Sequence, residues 1–275
     1  MSDSRKCYDL KHRENCCVRE DAAKELMRTL DAGCSALVWE TEDGSHLWGR
    51  NFDFNRIAEG SQVTYLPRGI PFYTKGTKLE NNLDEADRLE TRYAALGMGA
   101  LVLESTPTLF EGMNEAGLMG GQLYYRNFAS YQERAQEGKL PLQPAFVVTY
   151  LLTQCKNVEE VVEHLEHKVS LVNTPIFGSV PTVHWIFSDR TGEAVIIEPD
   201  KTGLHIYRNS MGVLTNSPGY PWHCQNLLNY GNVKAADADD MEINGPICTN
   251  ASPGAAAWGF QEISPPHRAL CGWHF

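Results

Sequence analysis

Apolar residues fall in short, strand-sized runs along most of this chain, and helical spacing is confined to three segments. Cys34–Phe54 alternates through two runs around Asp43-Gly44, which predicts a β-hairpin with its turn there. Val63-Thr-Tyr-Leu66, within Glu59–Pro71 and bounded by Pro67 and Gly69, predicts a further strand. Ala94–Glu104 is apolar and punctuated by glycine, as a buried strand would be, and Phe110–Tyr125 predicts a second hairpin around Asn114-Glu-Ala-Gly117. Helical spacing marks Asp21–Asp31, with Ala22, Ala23, Leu26, Met27 and Leu30 on one face. It returns over Gln143–Gln154 and over Val158–His167, where Val161, Val162 and Leu165 alternate with acidic residues behind an Asn157 N-cap. Strands are then predicted at Val183–Ser188, Ala194–Glu198, Gly203–Tyr207 and Gly212–Thr215, with a turn at Asp189-Arg-Thr-Gly192. Strands, then helices, then strands predict a layered α+β protein rather than a βαβ wind.

Composition narrows the function classes. At 275 residues and 42% hydrophobic, the chain can bury one large core or two smaller ones. A formal charge of −11 argues against nucleic-acid and anionic-membrane partners, and no apolar run is long enough to span a bilayer. Met1–Gly33 mixes both signs of charge with no apolar centre, unlike a secretory signal. The eight cysteines form no CxxC pair and no disulfide framework, so a reduced, cytoplasmic protein is expected. His223-Cys224 lacks a second ligand pair, and adjacent residues point apart, so no metal and no cofactor are expected. There is no internal repeat and no low-complexity segment.

The chemistry lies in the first hairpin. Cys34 follows Gly33 at the start of a strand, and the return strand carries Arg50 and Asp53, so the fold of the hairpin brings a cation and a carboxylate to the cysteine. A cut between Gly33 and Cys34 would place an α-amine, titrating near about 8, on the nucleophile itself. Taken alone, such a cysteine is a small buried apolar residue, Arg50 and Asp53 a solvated pair, and Asn216 in Thr-Asn-Ser-Pro a turn residue. A papain-like peptidase would need a histidine base; His184 is the one candidate in an apolar strand, where a buried structural role fits better.

Five blocks in order change that weighing. The hairpin is followed by Tyr93-Ala-Ala-Leu-Gly-Met-Gly99, Glu111-Gly-Met-Asn-Glu-Ala-Gly117, His184-Trp185 with Ser188-Asp189, and Leu214-Thr-Asn216-Ser-Pro218. The series resembles the choloylglycine hydrolase family, which includes bile salt hydrolases and penicillin V acylases, and it runs from about Cys34 to Gly245. The resemblance implies a four-layer αββα sandwich of the N-terminal-nucleophile amide hydrolases and a small-molecule amide substrate. It also implies Cys34 as nucleophile, with Arg50, Asp53 and Asn216 as its catalytic partners. Tyr124 stands where bile salt hydrolases have Asn and penicillin V acylases tend to have Tyr, which tilts the expected substrate toward an aryl-acyl amide. The family forms homo-oligomers, so a tetramer is implied for a chain with the family's complete C-terminus.

Beyond Gly245 the resemblance lapses. Codons for Trp258–Phe275 read in a shifted frame permit Gly-Leu-Pro-Gly-Asp-Phe-Ser-Pro-Ala-Ser-Arg-Phe-Val-Arg-Val-Ala-Phe, a string similar to the family's own segment. The expectation is a leader over residues 1–33, an amidase domain over 34–245, and an out-of-frame tail over 246–275 that leaves the sandwich incomplete. Arg268 falls near the place of the family's late catalytic arginine, with different flanks. An inactive, frameshifted relic is the alternative to an active amidase.

Overall fold

The computed structural model describes residues 32–54, 61–101, 104–176, 178–230, 241–242 and 247–248. The expected helix at Asp21–Asp31, the tail residues after 248 and Arg268 lie outside the described residues.

In chain order, β1 (Ala32–Glu40) and β2 (His46–Phe54) form the first hairpin. Next come β3 (Ser61–Leu66) and a short ribbon of β4 (Pro71–Tyr73) with β5 (Arg88–Glu90). The strands β6 (Ala95–Ala100), β7 (Thr108–Asn114), β8 (Met119–Tyr124) and β9 (Leu140–Leu142) follow. Helices α1 (Val147–Gln154) and α2 (Val158–Glu163) precede β10 (Val169–Leu171), which pairs parallel with β9. The chain continues through β11 (Val183–Ser188), β12 (Ala194–Asp200), β13 (Gly203–Tyr207), β14 (Val213–Thr215) and α3 (Tyr220–Leu228).

Two sheets carry the architecture. One has seven strands in the order β13-β12-β11-β8-β7-β6-β3, and the other has three in the order β14-β1-β2. Successive side chains of a strand point to opposite faces, so each central strand feeds two cores. Trp185, Phe187, Val195 and Ile197 point to one face of the large sheet, where they pack with α1 and α2 in the main core. Ile186 and Ile196 point to the other and meet Leu123, Cys34, Ala36 and Leu214 in a second core between the sheets. The observed layers are therefore helices, a large sheet and a small sheet, in agreement with the α+β expectation. Farther along the inter-sheet face, the directly paired Tyr65, Leu96 and Met113 remain exposed.

Local chemistry explains the joints. All eight residues of α1 are buried, so this helix lies inside the core instead of on it. Asn157 caps α2 as expected, its side chain accepting from the Glu160 N–H at 3.0 Å. Asp189 adds a second anchor by accepting from the Val158 N–H at 2.8 Å. The segment after α2 differs from the expected regular helix: His164–Lys168 widens into a π turn before β10. Buried Asn114 donates to the carbonyls of Leu152 and Cys155 at 2.8 and 2.7 Å and accepts from Ala116 and Leu118. This one side chain ties the β7–β8 turn to the end of α1, leaving no polar group of its own unmet. The structure adds a helix, α3, that the sequence reading does not predict: Tyr220, Cys224, Leu227 and Leu228 recur at helical spacing, but over nine residues only, too short a run to stand out.

Candidate active site

Cys34 lies in the middle of the inter-sheet core and is 3% exposed. Strand β1 begins at Ala32, two residues before the cysteine, so Gly33 and Cys34 are both part of the ladder. The register sets Cys34 opposite Phe52, Ala36 opposite Arg50 and Gly33 opposite Asp53. Alternation then separates the two charged residues. Arg50 points with Cys34 into the space between the sheets, whereas Asp53 belongs to the opposite face.

Arg50 reaches the cysteine. Its Nη2 lies 3.6 Å from Cys34 Sγ, and its Nη1 donates to the Phe110 carbonyl at 3.2 Å. The same Nη1 is 3.3 Å from Glu111 Oε2, and the guanidinium lies 4.2 Å above the Phe52 ring. Its side chain is 1% exposed, so this is a buried cation held by a carboxylate, a carbonyl and an aromatic face. Burial pushes the Cys34 thiol above its ordinary range. Arg50, through its charge and its hydrogen bond, and the Asp53 backbone N–H pull it down without overcoming the burial. Asp53 itself is exposed, and its Oδ2 would be 4.0 Å from a Cβ built on Gly33. Its carboxylate thus stands beside Gly33 on the face opposite the thiol, and its charge adds to the burial in raising Cys34.

The third strand of the small sheet brings Asn216. Ser35 pairs with Thr215, so Asn216 follows one step beyond the last pair, at the level of Cys34. Thr215 Oγ1 donates to the Cys34 carbonyl at 3.0 Å. Asn216 Oδ1 accepts from the Tyr124 N–H at 3.2 Å. A backbone N–H requires an oxygen there, so the amide orientation is determined and Nδ2 is the remaining donor. The Tyr124 side chain is half-buried, with the Arg126 guanidinium 5.5 Å from its ring. Burial raises its phenol; Arg126 opposes this, and the nearby Cys34 thiol adds to it.

The structure thus brings together Cys34, Arg50, Asn216 and Tyr124 and sets Asp53 on the opposite face of β2; Arg268 is not among the described residues. Glu111, the carboxylate against Arg50, is a site residue that the sequence alone does not single out. The signal available was a lone acid between Leu109-Phe110 and Gly112-Met113. His184 is fully buried and bound to Glu198 Oε1 at 2.9 Å, as the structural reading expected. No helix among the described residues is long and apolar enough to cross a membrane.

Comparison with known proteins converges on one family. Residues 34–268 match the linear amide C–N hydrolases of the choloylglycine hydrolase family; the match opens at Cys34 and runs past Gly245. The bile salt hydrolase/transferase of Clostridium perfringens (strain 13 / Type A) is 33% identical over 240 residues, 86% of this chain and 70% of that one. A crystal structure of a cysteine-to-alanine variant of the conjugated bile acid hydrolase from Clostridium perfringens is similar with a TM-score of 0.70 at 32% identity, covering 85% of this chain and 68% of that one. A second structure of that enzyme carries an arginine-to-leucine change, and the two altered positions are 16 apart, the separation of Cys34 and Arg50. Penicillin V acylase from Agrobacterium tumefaciens shares the fold, with a TM-score of 0.59 at 22% identity over 73% of this chain and 58% of that one. On this likeness of sequence and fold, the chain belongs to the choloylglycine hydrolase family of linear amide C–N hydrolases.

Proposed function

We propose that this protein hydrolyses the amide bond of conjugated bile salts, with Cys34 as an N-terminal nucleophile exposed by loss of residues 1–33. The observation that carries the reading is the buried Arg50 guanidinium 3.6 Å from the Cys34 sulfur. The start of the family match at Cys34 supports it. In the uncut chain the Cys34 nitrogen is a peptide N–H, which is no base, and burial keeps the thiol protonated. Cleavage of the Gly33–Cys34 bond turns that nitrogen into an amine with Asp53 at hand to orient it. The amine takes the thiol proton, the thiolate attacks the substrate carbonyl, and the proton passes to the leaving nitrogen. Water then attacks the thioester, which restores the thiol and releases the acid. Asn216 Nδ2 serves as a donor to the tetrahedral oxyanion, a contribution of about 10²–10³ in rate.

Bile salts lead because the relatives that share about a third of their residues with this chain are named for them. Penicillin V is the second reading, favoured by one observation: the aromatic Tyr124 beside Cys34.

The test is mass spectrometry of the purified protein, followed by assay on glycocholate and penicillin V. An N-terminus at Cys34 and amine release from glycocholate are expected, both abolished in Cys34→Ala. Activity surviving in Cys34→Ala would sink the assignment. An intact Met1 or Ser2 with no turnover would favour the inactive relic, and faster cleavage of penicillin V would exchange the two substrates.

A further inference from the structure

A buried polar group behind Asn216 has no part in the chemistry described so far. Glu198 is 1% exposed and His184 is 0% exposed, and Glu198 Oε1 meets His184 Nδ1 at 2.9 Å. Both Glu198 oxygens also accept from the Tyr220 N–H, at 3.0 and 2.9 Å. The Tyr125 ring lies flat on His184, 4.6 Å between centroids. Gly219 fits between them and the carboxylate: a Cβ there would come within 2.8 Å of the Tyr125 hydroxyl and 2.9 Å of Glu198 Oε2. Register places this group, for Trp185 pairs with Ile197 and the next pair outward is His184 with Glu198, on the inter-sheet face with Ile186 and Ile196.

His223, 4% exposed on α3, completes the set, with its Nε2 3.0 Å from the Asn216 carbonyl. A carbonyl only accepts, so His223 carries a proton on Nε2. By the same reasoning the Glu198 carboxylate requires the proton of His184 on Nδ1. The remaining nitrogens, His184 Nε2 and His223 Nδ1, are then acceptors in the neutral rings, and both are buried without a partner among the described residues. Two buried acceptors call for a donor, either a bridging water or a proton held by one ring. Burial holds the His223 imidazole below its ordinary range, against the opposing pull of its bond to the Asn216 carbonyl and of the Glu198 carboxylate.

We propose that Glu198, His184 and His223 are positioning residues that hold the Asn216 main chain, so that its side-chain amide faces the carbonyl bound at Cys34. The segment Asn216–Gly219 is clamped at both ends of this set. Its carbonyl is bound by His223, and the N–H that follows Gly219 is bound by Glu198. Asn216 Oδ1 is fixed separately on Tyr124. The amide is thereby locked from two sides, as a preorganised oxyanion donor must be. The inference rests on the role given to Asn216 under Proposed function.

Three variants of the full chain and one spectrum test it. His223→Phe keeps a ring of similar size and removes the donor. It should lower kcat by about 10–100-fold with KM nearly unchanged, because misplacement weakens transition-state contacts more than substrate binding. His223→Gln can still donate to the Asn216 carbonyl and should recover most of that loss. In both, Cys34 should be alkylated by iodoacetamide at the wild-type rate. The histidine 15N spectrum of the unaltered protein should show His223 protonated on Nε2 and His184 on Nδ1, a result that needs no variant to fold. A folded His223→Phe with wild-type kcat, beside an impaired Asn216→Ala, would overturn the positioning role alone, as would His223 protonated on Nδ1 only. Wild-type turnover in Asn216→Ala would instead overturn the oxyanion assignment, and this inference with it.

Discussion

At the scale of single residues, the contest at Cys34 is between burial and a cation. Burial raises the thiol and Arg50 lowers it, with burial the larger. Arg50→Gln should therefore move the pH at which iodoacetamide alkylates Cys34 upward, and an unchanged profile would show that the guanidinium does not act on the sulfur. Glu111 offsets part of the Arg50 charge, so Glu111→Gln should shift the same profile downward while costing about 1–3 kcal/mol of stability in a urea titration. Asp53 is exposed and beside Gly33, so Asp53→Asn should leave the urea midpoint in place. It should slow leader removal or turnover instead; normal processing and kcat/KM together would make Asp53 a surface residue.

At the scale of elements, close strand approaches set the position of Arg50's partners. A Cβ at Gly97 on β6 would be 1.9 Å from the Glu111 carbonyl and 2.8 Å from Gly112 Cα on β7. Neither atom is the end of a flexible side chain, so the strands would have to part. Gly97→Ala should cost about 1–3 kcal/mol, as overpacking does, and should lower kcat as well, because Glu111 moves with its backbone. A urea midpoint equal to wild type would refute the close approach. The same logic explains why the β7–β8 hairpin was readable from sequence while its purpose was not. The Asn114-Glu-Ala-Gly117 turn is local chemistry, whereas the acceptors of the Asn114 amide lie 38 and 41 residues away on α1 and just after it.

At the scale of the whole molecule, stability and pH are linked through two buried imidazoles. His164, bound to the Tyr150 hydroxyl through Nδ1 at 2.9 Å, and His223 are both held below their ordinary range, chiefly by burial. Lys168 and Arg92 also lower His164, against Glu163 and Glu160. The native state keeps these rings neutral, while the unfolded chain takes up protons as pH falls through about 6.5. Their contribution to stability is thus present above about pH 6.5 and lost as pH falls toward the lower folded values. Urea midpoints should drop between pH 7.5 and 5.5, and the drop should be smaller in His164→Gln or His223→Phe; an equal drop in both variants would place the effect elsewhere.

Sequence alone determined what is local. Alternation marked the central strands, and Val183–Ser188 was bounded correctly because both of its faces are buried and its neighbours are turn residues. Asn157 announced the start of α2, since a cap acts within three residues. The Cys34–Arg50 contact was also legible, because a hairpin with its turn near Asp43-Gly44 fixes which residues come together. The tertiary structure decided the rest. Arg50 and Asp53, neighbours in the sequence reading, part to opposite faces once the strand register is set. Glu111 meets Arg50 across 61 residues, and His184 meets Glu198 only because β11 and β12 pair in one register out of several. Which side of a strand a residue takes is written in its own neighbours, but what it meets there depends on how separate sheets align and stack.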